Sequence, residues 1–263
     1  MPYRIDISRP PPEALDVLVQ FGALDVEPTE GGVAAILPDG VTPDTVAGAL
    51  GVSSMAVSAV VARDNGSVWL LSPRVIHIGG VLIAPREAAA PSNALRLIDC
   101  NTFGTGHHPT TALCIEAIEE ILAIERVDSV LDVGTGSGIL ALTALILGVP
   151  RAVGLDIDAD ALKIAAENAR LNKLENRLQL MLGGPNVVHG SWPLVVANVL
   201  AAPLIEMAPV LVRRLANRGR LVLSGIPSSL ESEVRRAYQH FGVQHINSKT
   251  RAGWTVITAQ ASW

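Results

Sequence analysis

Residues 130–138, Val-Leu-Asp-Val-Gly-Thr-Gly-Ser-Gly, set glycines at alternate positions directly after an apolar run, and Asp156 closes a second such run 18 residues beyond Gly138. These residue types in this order suit a nucleotide pocket. Without Cβ atoms, Gly134, Gly136 and Gly138 let the chain turn sharply out of a buried strand into a helix and bring bare N–H groups against a ligand. Asp156, at the tip of the neighbouring strand, can accept both hydroxyls of a ribose as charge-assisted hydrogen bonds. The spacing narrows the choice of nucleotide. A dinucleotide fingerprint has G-x-G-x-x-G and seats a pyrophosphate, whereas this chain has G-x-G-x-G with Asp132 two residues ahead.

Two further segments carry polar groups next to expected element ends. Phe103-Gly-Thr-Gly-His-His-Pro-Thr-Thr111 lies directly before a helix, and Val195-Val-Ala-Asn-Val-Leu200 ends a strand. Thr110 and Thr111 suit either a helix cap or a ligand contact in the first helical turn. Asp158 is placed to cap the next helix or to reach the same ligand, and Asn198 to serve as a strand-end turn residue or a site residue. His107 and His108 are adjacent, so their side chains diverge, and no metal site is expected. A short-chain dehydrogenase needs Tyr-x-x-x-Lys, but Tyr238 is followed four residues later by Gly242.

The elements that must position these residues alternate regularly from about residue 96, implying a mainly parallel sheet with helices on both faces. Strands are expected at 129–133, 152–156, 178–182, 194–198 and 219–224. A helix over 228–241 opens on a Ser228-x-x-Glu231 capping box, and an antiparallel hairpin of 243–247 and 254–260 closes a seven-stranded sheet. The apolar run Ile139–Val149 is too short to span a bilayer and is expected as a buried helix. Ahead of this domain (96–263), residues 1–63 have a βαββαβ order, with Thr42 capping a helix that starts at Pro43, and suggest a small α+β ferredoxin-like domain. Residues 64–95 form a connector of short strands (68–71, 75–78, 81–84) and an Ala-Pro-Ser linker.

Composition bounds the rest. The chain has 263 residues, 49% apolar and 17% charged, a globular balance. Its net charge of −5 argues against a phosphate-binding face, so no direct nucleic-acid partner is expected. No basic and apolar leader opens the sequence, no membrane partner is expected, and the expected location is cytoplasmic. Cys100 and Cys114 are too few for a disulfide framework and are expected as free thiols.

The glycine turn with Asp132 resembles motif I of the Rossmann-like methyltransferases. With Phe103–Thr111, Asp156-Ile-Asp158, the Asn198 segment and Ser224-Gly-Ile226, it resembles the PrmA family, which methylates large-subunit ribosomal protein L11. That resemblance implies a Rossmann-like seven-stranded α/β sheet, S-adenosylmethionine as cofactor, and a protein substrate with lysine or N-terminal amines. It implies cofactor contacts at Phe103, Gly104, Thr105, Gly106, Thr111, Asp132, Gly134, Thr135, Gly136, Asp156, Ile157 and Asn198, with Asn198 and Thr105 at the reacting centre. It also implies that residues 1–63 recognise the substrate. Asn198 is not followed by the Pro-Pro-aromatic platform that stacks an extruded base, which disfavours a nucleobase acceptor. A lysine must lose its proton before it attacks, a handicap of about 4.6 kcal/mol at pH 7. Desolvation and alignment are expected to offset this without a dedicated base. Other readings are methylation of another protein, such as the electron-transfer flavoprotein beta subunit, or a catalytically silent S-adenosylmethionine-binding protein.

Overall fold

The structure is a computed structural model that describes residues 1–100 and 102–263, with the backbone alone at Asn65. Asn101, inside the stretch of resemblance, lies outside the described residues. The chain divides into two compact units, Met1–Pro73 and Arg74–Trp263. The expected connector 64–95 is therefore shared between them.

In the first unit β1 (Tyr3–Ser8), α1 (Ala14–Gln20), β2 (Asp25–Thr29), β3 (Gly32–Leu37), α2 (Pro43–Leu50) and β4 (Ala56–Ala59) form a four-stranded sheet in the order β2-β3-β1-β4. All of its pairings are antiparallel. Alternation selects one face: Ile5, Ile7, Val33, Ala35 and Leu37 pack with Leu18, Val46 and Leu50 from the helices. Thr42 caps α2, its hydroxyl accepting from the Thr45 N–H at 3.3 Å, and Pro43 occupies the first turn. The expected strand at 68–71 does not form; its only pairing is an isolated bridge between Arg63 and Val68. The Asp25 carboxylate takes the Leu71 N–H instead (2.9 Å), and the Ser72 hydroxyl donates to Glu27, so side chains satisfy this segment in place of a ladder.

The second unit opens with β5 (Ile76–Ile78), β6 (Val81–Pro85) and β7 (Leu95–Leu97), a small three-stranded sheet. There follow α3 (Pro109–Ile124), β8 (Ser129–Val133), α4 (Ile139–Ile146), β9 (Arg151–Asp156), α5 (Ala159–Leu171), β10 (Leu178–Leu182) and β11 (Trp192–Asn198). Then come α6 (Ala201–Arg213), β12 (Leu215–Pro227), α7 (Glu231–Gln239), β13 (Val243–Arg251) and β14 (Trp254–Ala261). Strands β8 to β14 make one seven-stranded sheet, ordered β10-β9-β8-β11-β12-β14-β13. The first five are parallel, and β14 runs antiparallel to β12 and β13. Buried on both faces, the strands alternate between two cores: Val130, Leu194, Val196 and Val222 pack with α3 and α4, and Leu131, Val195, Leu221 and Leu223 with α6 and α7. The run at Ile139 folds as α4 with Ile139–Leu145 all buried.

The 228–241 region differs from expectation at its start. Ser228–Leu230 form a 3₁₀ turn, and Ser228 does not cap α7; its N–H and hydroxyl both donate to the Gly253 carbonyl, at 2.9 and 3.1 Å. The turn of the closing hairpin takes the Ser228 N–H that Glu231 would accept in a capping box. Strand order reverses between β8 and β11, so successive crossovers leave in opposite directions there. In open α/β sheets that reversal leaves a crevice at the carboxyl ends of the strands.

Candidate functional site

The glycine turn fills the mouth of this crevice. Gly134, Gly136 and Gly138 all have positive φ (73°, 54° and 83°), and the Gly134 and Thr135 N–H groups both donate to the Leu155 carbonyl at 2.8 Å. A Cβ on Gly134 would collide with Val199, which follows β11, and one on Gly225 with the Val199 backbone. The ends of β8, β11 and β12 thus meet at Val199, beside Asn198.

Asp156 ties the turn to the next strand. One of its carboxylate oxygens accepts the Gly136 N–H (2.9 Å) and the other the Asp158 N–H (3.0 Å). Each oxygen keeps a free lone pair for a further donor. Asp158 caps α5, accepting the Asp160 N–H at 2.8 Å. Next to Asp156, Ile157 is 84% exposed and presents an apolar surface.

Asp132 serves the turn from below. Fully buried, it accepts the Thr135 hydroxyl (2.7 Å) and the Ala141 N–H (3.2 Å) on one oxygen. Burial pushes its carboxyl up to about 6, against the downward pull of those two hydrogen bonds. The folded protein therefore holds more protons than the unfolded chain between about pH 4 and 6, and the Asp132 contribution to stability falls as pH rises through that window. Each unit of displacement is worth about 1.4 kcal/mol. Asp132→Asn is expected to flatten this fall, read as the difference between wild-type and variant denaturant midpoints from pH 4 to 7; parallel profiles would contradict it.

The Phe103–Gly106 loop is laced onto the turn from above. The Ser137 N–H donates to the Phe103 carbonyl (3.0 Å), and the Ser137 hydroxyl to the Gly104 carbonyl (2.6 Å). Gly136 packs so closely that an added Cβ would lie 2.6 Å from the Phe103 oxygen. The Thr105 hydroxyl lies 3.3 Å from His107 Nδ1. His108, not Thr110 or Thr111, caps α3, with Nδ1 accepting the Thr110 N–H. Its ring sits between Phe103 (centroids 5.3 Å) and Trp254 of β14 (5.0 Å). Among the described residues, the buried Thr111 hydroxyl in the first turn of α3 and the Asn198 Oδ1 atom at the end of β11 have no hydrogen-bond partner, as is also true of Asp132 Oδ1 and Thr143 Oγ1. Buried polar atoms of this kind are costly unless a ligand meets them.

The structure thus brings Phe103, Gly104, Gly134, Thr135, Gly136 and Asp156 into one hydrogen-bonded assembly, with Asn198 bordering it through Val199. Asp132 faces the turn's own groups and holds it in shape. Ser137 and Asn168 were not legible as site residues. Asn168 gave one signal, a polar amide in the interior of an otherwise Ala-rich helix, where asparagine is disfavoured unless it serves a tertiary contact.

A family model described as Ribosomal protein L11 methyltransferase (PrmA) matches residues 74–262. The ribosomal protein L11 methyltransferase of Geotalea daltonii is 36% identical over 217 residues, covering 77% of this chain and 69% of the relative. That of Myxococcus xanthus is 33% identical over 223 residues, covering 82% and 76%. Among solved structures, a ribosomal protein L11 methylase from Lactobacillus delbrueckii subsp. bulgaricus superposes with a TM-score of 0.66 at 29% identity. The superposition covers 72% of this chain and all of that one.

Proposed function

The chain belongs to the ribosomal protein L11 methyltransferase (PrmA) family, and from that premise we propose that it transfers methyl groups from S-adenosylmethionine to lysine or N-terminal amines of ribosomal protein L11. The observation that carries this reading is that Thr111 Oγ1 and Asn198 Oδ1, two of the buried side-chain polar atoms without a partner among the described residues, accompany a glycine turn held by Asp156. The donor set fits the cofactor. Asp156 has lone pairs left for ribose hydroxyls, Ile157 offers an apolar face to the adenine, and the Thr111 hydroxyl suits the methionine end.

When bound, S-adenosylmethionine supplies an electrophilic sulfonium methyl. The chain's own residues do the rest. Asn198 Oδ1 accepts a hydrogen bond from the incoming amine and fixes its lone pair, while Thr105 and the Phe103–Gly106 backbone shape the channel. Phe103 and Val199, packed against the glycine turn, contribute apolar groups beside it, which favours the neutral form of a lysine there. The order and pairing of the first unit's strands support a ferredoxin-like domain, and we assign substrate recognition to it. The second unit supports a Rossmann-like methyltransferase domain with an antiparallel C-terminal hairpin.

Thr111→Val tests the cofactor site. The change preserves volume and deletes a buried hydroxyl that has no partner among the described residues, so the ligand-free protein should melt no lower than wild type. Calorimetric titration should show S-adenosylmethionine binding weakened about tenfold, the worth of one buried hydrogen bond. Unchanged affinity would remove Thr111 from the site.

A further inference from the structure

Asn168 in the last turn of α5 and Asn172, the residue that caps its C-terminus, both hold the chain that leads into the Phe103–Gly106 loop. Asn172 pairs with the Arg96 backbone as a strand would: its Oδ1 accepts the Arg96 N–H (2.8 Å) and its Nδ2 donates to the Arg96 carbonyl (2.7 Å). Asn168, fully buried, does something different. Its Oδ1 accepts the Ile98 N–H (2.9 Å), and its Nδ2 donates to the Ser137 carbonyl (2.9 Å). Ser137 in turn donates to the Phe103 and Gly104 carbonyls.

One amide therefore pins both ends of the intervening segment, directly at Ile98 and through Ser137 at Phe103–Gly104. We infer that Asn168 is a positioning residue that sets how far the Phe103–Gly106 loop reaches over the methyl-donor site. The inference rests on the function proposed above. Both halves of the amide are needed, because an acceptor alone can hold Ile98 but cannot hold the Ser137 carbonyl. Gly104 and Gly106, at φ 105° and 92°, contribute no side chains of their own, so the Ser137 bonds to the Phe103 and Gly104 carbonyls add to the contacts that Phe103 and Thr105 make with His108 and His107. Asn172 supplies the comparison: it makes two bonds to Arg96 in the entering chain and one to the Asn168 carbonyl, and none of its bonds among the described residues reaches the glycine turn.

Three variants decide the matter: Asn168→Asp, which is isosteric and keeps only the acceptor; Asn168→Ala, in case a buried carboxylate prevents folding; and Asn172→Ala. Amide hydrogen exchange of the ligand-free protein and the Kd for S-adenosylhomocysteine are measured for each. The Asn168 variants should exchange about tenfold faster over 103–106 and at Ser137, and bind S-adenosylhomocysteine about tenfold more weakly. Asn172→Ala should speed exchange at 95–98 and leave affinity within about threefold of wild type. Asn168 variants that lower the melting temperature without moving exchange at 103–106 or affinity would overturn the inference. So would an Asn172→Ala variant that moves both equally. A wild-type protein that binds no S-adenosylhomocysteine would defeat the proposed function, and the exchange profiles alone would then decide the claim about the loop.

Discussion

Asn198→Ala is expected to lower kcat by roughly 100- to 1,000-fold, the range seen when one preorganised polar contact to a reacting group is removed. The KM for S-adenosylmethionine should change little. The reason lies in where the side chain stands. Asn198 ends β11 at the strand-order reversal, paired with Ser224 of β12 one residue beyond the last β8 pairing at Ala197, and its Oδ1 is buried and unpaired among the described residues. An acceptor held there at no further cost in ordering is placed to orient an amine. Truncating it removes the orientation and leaves Asp156 and the glycine turn intact, so the loss falls on turnover and not on cofactor binding. Full turnover at saturating substrate would remove Asn198 from the reacting centre.

Gly136→Ala is expected to abolish tight cofactor binding, with the Kd for S-adenosylmethionine raised by at least about 100-fold. Two costs act together. A φ of 54° is a conformation that costs an L-residue roughly 1–2 kcal/mol. An added Cβ would also lie 2.6 Å from the Phe103 carbonyl oxygen, a backbone atom that cannot swing aside. Either the Phe103–Gly106 loop lifts, breaking the Ser137 bonds, or the turn shifts and the Gly136 N–H leaves Asp156. Gly134→Ala should be milder, because its Cβ meets the tip of the Val199 side chain, which can rotate. The melting temperature of Gly136→Ala should fall by roughly 2–8 °C. Calorimetry and thermal unfolding check the pair, and equal effects of the two substitutions would contradict the packing account.

Much of the second unit was legible because its signals are local. Mostly apolar stretches of five residues place β8 and β10 at their observed ends, and the glycines with Asp156 announce a ligand turn. Thr42 and Asp158 cap helices from sequence alone, since a cap needs only its own neighbours. What sequence missed depends on partners distant in the chain. Residues 68–71 have strand-like composition, yet Asp25 takes the Leu71 N–H and Arg63 donates to the Leu70 carbonyl. Ser228 has a capping-box spacing, yet Gly253 supplies a better acceptor. Three-residue β7 is too short to show a period and exists through pairing with β6. The tie from Asn168 through Ser137 to Phe103 joins three segments with no shared local pattern. The support that one Asp132 oxygen gives to Thr135 and Ala141 was likewise not legible, because it depends on how the turn folds back over the strand end.

The most direct measurement is transfer of labelled methyl from S-adenosylmethionine by the purified protein into large-subunit ribosomal proteins taken from cells lacking the enzyme, resolved by mass spectrometry. The account predicts label on lysine or N-terminal amines of L11, lost with Asn198→Ala. Label confined to other proteins, or none anywhere from a protein that still binds S-adenosylmethionine, would contradict it.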